Sequence, residues 1–494
     1  MSERTSKPTV GALPDATAGS PFASLALTWL VWSLFAASVA ALVAHVRLGG
    51  AWEIPGVVGV DGLTVLLWVV VSFFSGIVHS YSRRYMAGSR HETGFFLAVF
   101  GFTVVVMGLA AADHLALFAV LWLAMGLVMA ELIGTIDGWR QARAAARVAR
   151  TYFLASSALL ATALTTLWWT TGETTVSGIA AAADGLGGTA WLVAAVALVL
   201  AAMIQSALVP FHGWLLSSMT APTPASALMH AGFVNAGGIL LVRFAPVVTV
   251  DATLMLGIVA VGATSALLGK LLKAVQSNVK GELGCSTVGQ MGFMIMQAGL
   301  GFFGAAITHL VLHGFYKAYH FLSAGERIEH TSPTHNAPRG TGVVSVGVVL
   351  LTGLAGGALF AVLTGKGTSV DSGLLLTLFV VLTTLHAAHS VVERASLSTP
   401  ARYAAVPLVF LPAISVYALV YEAISAVLSG IPVVSAPAEL SPLHALVAVV
   451  FVTVYVAIEL GLHERSRRLY VVLVNASQPA SSTLLTATEE YDAY

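Results

Sequence analysis

The sequence predicts an all-α, polytopic membrane protein of about fourteen transmembrane helices. Of its 494 residues, 57% are hydrophobic and only 9% charged, with a mean hydropathy of +0.88, a balance that no water-soluble domain of this size needs. The apolar runs are continuous over about 20 residues, enough to cross a hydrocarbon core about 30 Å thick, and they do not alternate as barrel strands do. Lysines and arginines gather in every second link between the runs, as expected for helices that cross a bilayer in turn.

The polar stretch 1–20, with Pro8 and Pro14, reads as a disordered cytoplasmic tail. The first apolar run, 22–46, is too long for a signal-peptide core and is expected to be retained as a span. A run at 62–79 completes the N-terminal helices, 21–93. Runs follow at 94–112, 115–134, 149–170, 189–209 and 222–247, then at 252–275, 284–300, 302–323, 342–364 and 372–392. The C-terminal helices and tail, 403–494, hold runs at 403–429 and 442–461. Basic residues occupy the tail (Arg4, Lys7), the links with Arg83, Arg84 and Arg90, with Arg140, Arg143, Arg147 and Arg150, with Lys270, Lys273 and Lys280, and with Arg327, Arg339, Arg394 and Arg402, and the C-terminal stretch with Arg465, Arg467 and Arg468. The intervening loops Thr171–Gly188, Thr249–Asp251 and Ser429–Ser441 have none. The expectation is a multi-pass protein of a cell inner membrane with both termini in the cytoplasm. Arg47, Arg243 and Lys366 are the exceptions, falling on the opposite side or within the membrane.

With 23 basic and 23 acidic side chains the net charge is zero, so charge gives no argument for nucleic acid as a partner. Membrane lipids are the expected surroundings, and the 47 glycines suit close helix packing in them. The one cysteine, Cys285, excludes a disulfide framework and a cysteine metal cluster and reads as a packing residue. Gly353–Gly357 lack the strand–loop–helix setting of a phosphate loop, so no bound nucleotide and no cofactor is expected.

An ionisable side chain in the bilayer core costs several kcal/mol, so each one that persists is a candidate for function. Glu131 ends the run 115–134 and is either a functional carboxylate or an interfacial one near the arginines that follow. His230 follows the helix-start signature Ala221-Pro222-Thr223-Pro224 by about two turns, and an imidazole both accepts and releases protons near neutrality. The alternative for it is a histidine hydrogen-bonded between helices. His309, His313 and Lys317 are spaced four apart and share one helical face, and three titratable groups on one stripe are hard to explain as packing. A zinc site is the competing chemistry, since histidines four apart are a known ligand pair, but no third ligand lies at a recognisable offset. His320, His386 and His389 add polar points in later helices, each alone readable as a core or interface histidine. Pro210 with His212, and Gly365–Gly367, interrupt apolar runs, and broken helices are a device of ion-translocating sites.

The motifs Asp61-Gly62-Leu63, His79-Ser80-Tyr81-Ser82 with Tyr85-Met86, Ala112-Asp113 before the span of Trp122, and Pro210-Phe211-His212-Gly213-Trp214-Leu215 occur in that order. They are followed by Ala221 to Ala231, by Cys285-Ser286-Thr287-Val288-Gly289-Gln290-Met291-Gly292, and by His309 through His313 to Phe315-Tyr316-Lys317-Ala318. From Asp61 to about His330, and more weakly to residue 394, the series resembles the antiporter-like subunits of respiratory complex I and of Mrp sodium/proton antiporters. The resemblance implies two inverted five-helix repeats, 94–247 and 252–392, each with a broken helix and a half-channel. It puts His230, His309, His313 and Lys317 on the connecting relay and makes Lys366 a candidate exit lysine, the alternative being an interfacial lysine that snorkels to water. Two positions depart from the family. Leu123 stands where its glutamate belongs and Gln205 where its lysine belongs, and Glu131, two turns beyond Leu123 and ~80° round the helix, compensates only in part. The first half-channel is therefore expected to be altered or closed.

The C-terminal region is short for a distal complex I subunit, and the chain is more similar to the DabB subunits of two-component inorganic carbon accumulation systems. That likeness implies a large zinc-binding DabA-like partner and coupling of proton or sodium flow to bicarbonate or CO2 uptake, with the chain a transporter subunit, not an enzyme. The alternatives are a proton-translocating subunit of a complex I-like oxidoreductase or a Mrp-type antiporter, and a non-conducting membrane anchor, which the loss of the glutamate–lysine pair favours.

Overall fold

The computed structural model describes residues 21–327, 343–392 and 399–483; the tail 1–20 and the basic residues Arg339 and Arg394 lie outside them. Helix α1 (Pro21–Leu48) leads to a hairpin of β1 (Trp52–Ile54) and β2 (Val58–Val60), paired antiparallel with Trp52 opposite Val60. Asp61 then caps α2 (Gly62–Tyr85) by accepting the Thr64 N–H at 2.8 Å, because a short acceptor before the first turn satisfies a donor that the helix leaves without a partner. Helices α3 (Glu92–Ala111), α4 (Leu115–Ile133), α5 (Arg140–Thr171), α6 (Val176–Ala181) and α7 (Gly188–Gln205) follow. Short pieces α8 (Gly213–Ser217), α9 (Thr223–Ala231), α10 (Ala236–Arg243) and α11 (Ala245–Val248) form the next crossing. The bundle continues with α12 (Ala252–Ala274) and α13 (Val279–Gly299), whose caps Asp251 and Asn278 repeat the device of Asp61. It is completed by α14 (Phe303–Leu322), α15 (Val343–Thr364), α16 (Gly373–Val392), α17 (Thr399–Val427) and α18 (Pro442–Glu459). The short α19 (Leu462–Arg465) and α20 (Arg467–Ala476) lie beyond it.

Among the described residues, eleven stretches, with α9 and α10 counted together as one, are long and apolar enough to cross a membrane. Large apolar side chains such as Trp29, Trp169, Val362 and Leu408 stand exposed on the outside of the bundle, an apolar surface that lipid tails, not water, can cover. Contacts between links sort the helix ends into two sets. Arg90 Nη2 donates to Asp137 Oδ1 at 2.6 Å, the Thr223 N–H reaches Tyr85 Oη at 3.4 Å, and Lys280 Nζ donates to the Ala221 carbonyl at 2.9 Å. These bonds gather the arginine- and lysine-rich links at one end, called here the basic end. At the opposite end, isolated bridges join His114 to Thr175, Phe302 to Ser435 and Asp371 to Glu439.

The helix breaks differ in part from those the sequence suggests. After Gln205 the chain turns through Ala207, whose φ of 53° is positive, before Pro210 and His212, so this interruption lies where Pro210 predicts it. Gly365 and Gly367, with φ of 68° and 79°, do not break a helix inside the bundle. Their left-handed backbone ends α15 and turns the chain to α16 at the end opposite the basic one. A further break goes unannounced by any proline: the run expected to be continuous over 222–247 divides at Gly232, where a short turn, Phe233–Asn235, separates α9 from α10 and Asn235 Nδ2 donates to the Ala231 carbonyl at 2.8 Å.

Two packing devices hold the bundle around these breaks. Helices α12 and α13 meet backbone to backbone: a Cβ at Gly269 would run into the Gly289 main chain, and one at Gly262 into the main chain of Gly292 and Met296, so only small residues allow this approach. Near the opposite end, Arg243 is ion-paired with Asp61 and also donates to Thr64 Oγ1 and the Ala110 carbonyl, both at 2.7 Å. This ties the end of α10 to the caps of α2 and α3 and accounts for an arginine at the basic-poor end. Burial alone would push the Asp61 carboxyl up, but the Arg243 guanidinium and the Thr64 N–H and hydroxyl outweigh it and hold the carboxyl below its ordinary range.

Gly269→Leu is expected to lower stability by about 2 kcal/mol through overpacking, whereas Gly257→Leu, on the same helix with nothing within 4 Å, leaves it unchanged. Melting in detergent, followed by size-exclusion fluorescence, separates the two. Arg243→Ala is expected to cost about 2 kcal/mol, since it leaves a carboxylate without its partner. A carboxyl held low adds stability that is complete above its unfolded value near 3.8 and is lost as pH falls through the lower folded value. The melting difference between wild type and Asp61→Asn should therefore close below about pH 4.

Candidate functional site

Helix α14 carries His309, His313 and Lys317 on one face, and α9 and α13 supply what that face meets. Gly314 permits the approach: a Cβ there would strike the Phe74 ring and stand 3.1 Å from the Ala231 carbonyl. Packed this closely, His313 faces the main chain at His230, and the His230 ring stacks on Phe321 at 4.3 Å between centroids. His230 and Lys317 are fully buried and His313 nearly so.

The polar atoms form a connected path. Lys317 Nζ donates to the Leu283 carbonyl at 2.7 Å, and the Thr287 hydroxyl donates to the same carbonyl at 2.9 Å. Since the single hydroxyl proton of Thr287 is used there, its oxygen accepts from His230 Nδ1 at 2.9 Å. That fixes His230 as the Nδ1–H tautomer when neutral and leaves Nε2 as the acceptor nitrogen. One carbonyl of α13 thus joins the lysine of α14 to the histidine of α9. Along α14 the His313 and His309 rings lie 5.7 Å apart and nearly parallel, and His309 packs against Phe293 at 5.6 Å. Among the described residues, Nε2 of His230, His309 and His313 has no hydrogen-bond partner. Imidazoles so placed have a free valence with which to take or give a proton.

The remaining candidates lie apart from this stripe. Glu131 is exposed at the basic end, its carboxylate 3.8 Å from Arg150. Lys366 sits in the turn after α15 at the opposite end, its ammonium 5.2 Å from the centre of the Phe302 ring. The aromatic side chains of Phe302, Phe379 and Phe293 pack in the same region as His309, and no hydrogen bond links Lys366 to the stripe among the described residues. His386 pairs with Glu459, Nδ1 to Oε1 at 2.6 Å, at the basic end of α16. Gln205 is buried at the end of α7 with no partner for its Nε2 among the described residues. Leu123 is half-buried on α4 beside Trp122. The cavity close by, between α2, α3, α4 and the α9–α10 break, is lined by apolar side chains including Phe102, Phe118 and Trp122, with Asn235 as its one polar side chain. Cys285 is buried against Leu216, Leu272 and Leu473, a packing residue as expected. The described histidine, cysteine and acidic side chains form no group able to hold a metal ion.

Sequence reasoning missed Thr287, the Leu283 carbonyl and Glu459. Thr287 lies inside a quoted motif, but a main-chain acceptor has no sequence signature. Glu459 is visible only as a carboxylate closing the last apolar run.

A model of the transmembrane region of NADH:quinone oxidoreductase and Mrp antiporter subunits matches residues 112–353, and one of the N-terminus of NADH-ubiquinone oxidoreductase (complex I) chain 5 matches residues 50–96. A probable inorganic carbon transporter subunit, DabB1, of Halothiobacillus neapolitanus is 38% identical over 300 residues, 58% of this chain and 53% of that one. The NADH-quinone oxidoreductase subunit L of Mycobacterium tuberculosis is 34% identical over 272 residues, 54% of this chain and 42% of that one. The matches therefore span about half the length of these curated relatives. Among solved structures, the Mrp complex from a Dietzia species superposes over 92% of this chain and 57% of that chain with a TM-score of 0.61 at 21% identity, a likeness of fold. The chain belongs to the antiporter-like family of membrane subunits found in NADH:quinone oxidoreductases and Mrp antiporters.

Proposed function

We propose that this chain is the membrane subunit of an inorganic carbon transporter, in which a cation moving through the bundle drives bicarbonate or CO2 uptake in a large, zinc-binding DabA-like partner. The single observation that carries the cation path is the connection from Lys317 through the Leu283 carbonyl and Thr287 to His230. The transport role is supported by the relative whose name is that of an inorganic carbon transporter subunit. The basic end would face the cytoplasm of an inner membrane, with both termini on that side, and the two repeats would be 94–247 and 252–392.

The path works by competition for one acceptor. A charged Lys317 strengthens its bond to the Leu283 carbonyl, since hydrogen bonds from ions are the stronger ones, and weakens the hold of that carbonyl on the Thr287 hydroxyl. Once released, the hydroxyl can donate to His230 only after the Nδ1 proton has left the ring, so each turn of the hydroxyl requires His230 to give up one proton at Nδ1 and, to stay neutral, to take up one at Nε2 from the rest of the relay. The protonation of Lys317 is thereby read at His230, and His313 and His309 continue the relay along α14. Lys366, Glu131 and His386 stand outside this connected part and would serve only at its ends. Apart from His230, the first half contributes no path of its own: Leu123 and Gln205 stand at the positions of the family's titratable pair, and the cavity near Leu123 is apolar but for Asn235. The loss of that pair also favours the second reading, a non-conducting anchor, which the same experiment excludes or establishes.

In vesicles holding the chain with its partner, uptake of labelled inorganic carbon should collapse on adding a protonophore. Lys317→Ala should lower it by about a hundredfold, the smaller value for losing a proton-transfer group. Thr287→Val, which keeps the shape and removes the hydroxyl, should reduce it while leaving Lys317 in place. Undiminished uptake in all three would establish the anchor reading.

A further inference from the structure

Resting on the relay reading above, we propose that Glu459, with His386 and His389, is a proton-exchange site through which the buried lysine meets the basic end, and that it selects protons over sodium. Glu459 closes α18, and α16 presents two histidines three residues apart to its carboxylate: His386 Nδ1 at 2.6 Å from Oε1 and His389 Nε2 at 3.4 Å from Oε2. The other groups that face it are Lys270 of α12 and Tyr455, one turn back on α18. The carboxylate is mostly shielded while the His386 side chain is 46% exposed, so one ring reaches outward and the acceptor behind it does not.

This cluster is joined to the relay by charge. Glu282, next to the carbonyl that holds Lys317, forms an ion pair with Lys273 at 3.2 Å, and both act electrostatically on Lys317. Lys270 lies three residues before Lys273 on the same helix face and acts on Glu459. A line of charged groups therefore runs from Lys317 through Glu282, Lys273 and Lys270 to Glu459, with the two lysines of α12 as like-charged neighbours in it. A proton arriving at Glu459 neutralises its carboxylate and removes the attraction that offsets the repulsion between Lys270 and Lys273, and Lys273 in turn acts on Lys317.

The chemistry of the site decides the ion. An alkali cation is a hard ion that takes oxygen ligands, and here two ring nitrogens occupy the positions facing the carboxylate. At 2.6 Å the nitrogen and oxygen share a hydrogen, leaving no gap for a metal ion. A proton fits between them, and imidazole passes it on near neutral pH.

The test uses the chain with its partner in vesicles, with initial rates of labelled bicarbonate uptake measured across the neutral pH range in sodium and in choline buffer. Wild-type rates should be the same in both buffers. Glu459→Gln should lower the rate roughly tenfold, less than the full value for a proton-transfer group because water at the exposed ring replaces part of its function, and should flatten the pH profile. Glu459→Asp should restore the profile, and His386→Asn with His389→Asn should displace it. If Glu459→Gln fails to reach the membrane, the double histidine variant decides. A wild-type profile in the variants alongside an inactive Lys317→Ala would overturn the exchange site alone and leave the relay standing, whereas a sodium requirement would overturn the selectivity. An active Lys317→Ala would remove the relay itself, and with it this inference.

Discussion

An ammonium that is out of reach of water must find its acceptors inside the protein, and the arrangement around Lys317 follows from that requirement. Its acceptor is a main-chain carbonyl of α13, Leu283, which a helix can offer only where the neighbouring helix comes very close. The glycine contacts between α12 and α13 hold α13 in place, and Gly314 brings α14 against α9. The break at Gly232 ends α9 one residue after His230, whose imidazole faces Thr287. The small residues and the broken crossing are thus parts of one solution to the burial of a charge.

The two halves of the bundle solve the lipid problem differently. The second half retains titratable side chains and satisfies them with main-chain and hydroxyl groups. The first half keeps His230 but not the family's pair: Leu123 and Gln205 stand where the family resemblance places a glutamate and a lysine, and the cavity lined by Trp122, next to Leu123, has Asn235 as its one polar side chain. A chain that needed two parallel paths would not dispense with one pair of charges, so one conducting half serving a partner agrees better with this asymmetry than an antiporter of standard design does.

Much of this was legible in the sequence, and the rest was hidden for identifiable reasons. Continuous apolar runs give the helices, and a spacing of four gives the shared face of His309, His313 and Lys317, because both are local properties. Arg243 stood out as a basic residue at the wrong end, but its partner Asp61 lies 182 positions away. The same distance problem hides Thr287 from His230 and Glu459 from His386, pairs separated by 57 and 73 positions. The break at Gly232 was missed because no proline marks it. Gly365–Gly367 misled in the other direction, since glycines with positive φ end a helix as readily as they interrupt one. Lys366 was drawn into the relay by resemblance, while the structure holds it over Phe302 at the far end.

The central claim is that protons move through the relay that His230 forms with Lys317, His313 and His309. The most direct measurement is the internal pH of sealed vesicles carrying the chain with its partner, read with a trapped dye while a bicarbonate gradient is applied in sodium-free buffer. The account predicts a pH change that requires bicarbonate and disappears when His230 is replaced by glutamine. A flat trace accompanied by normal bicarbonate uptake would contradict it.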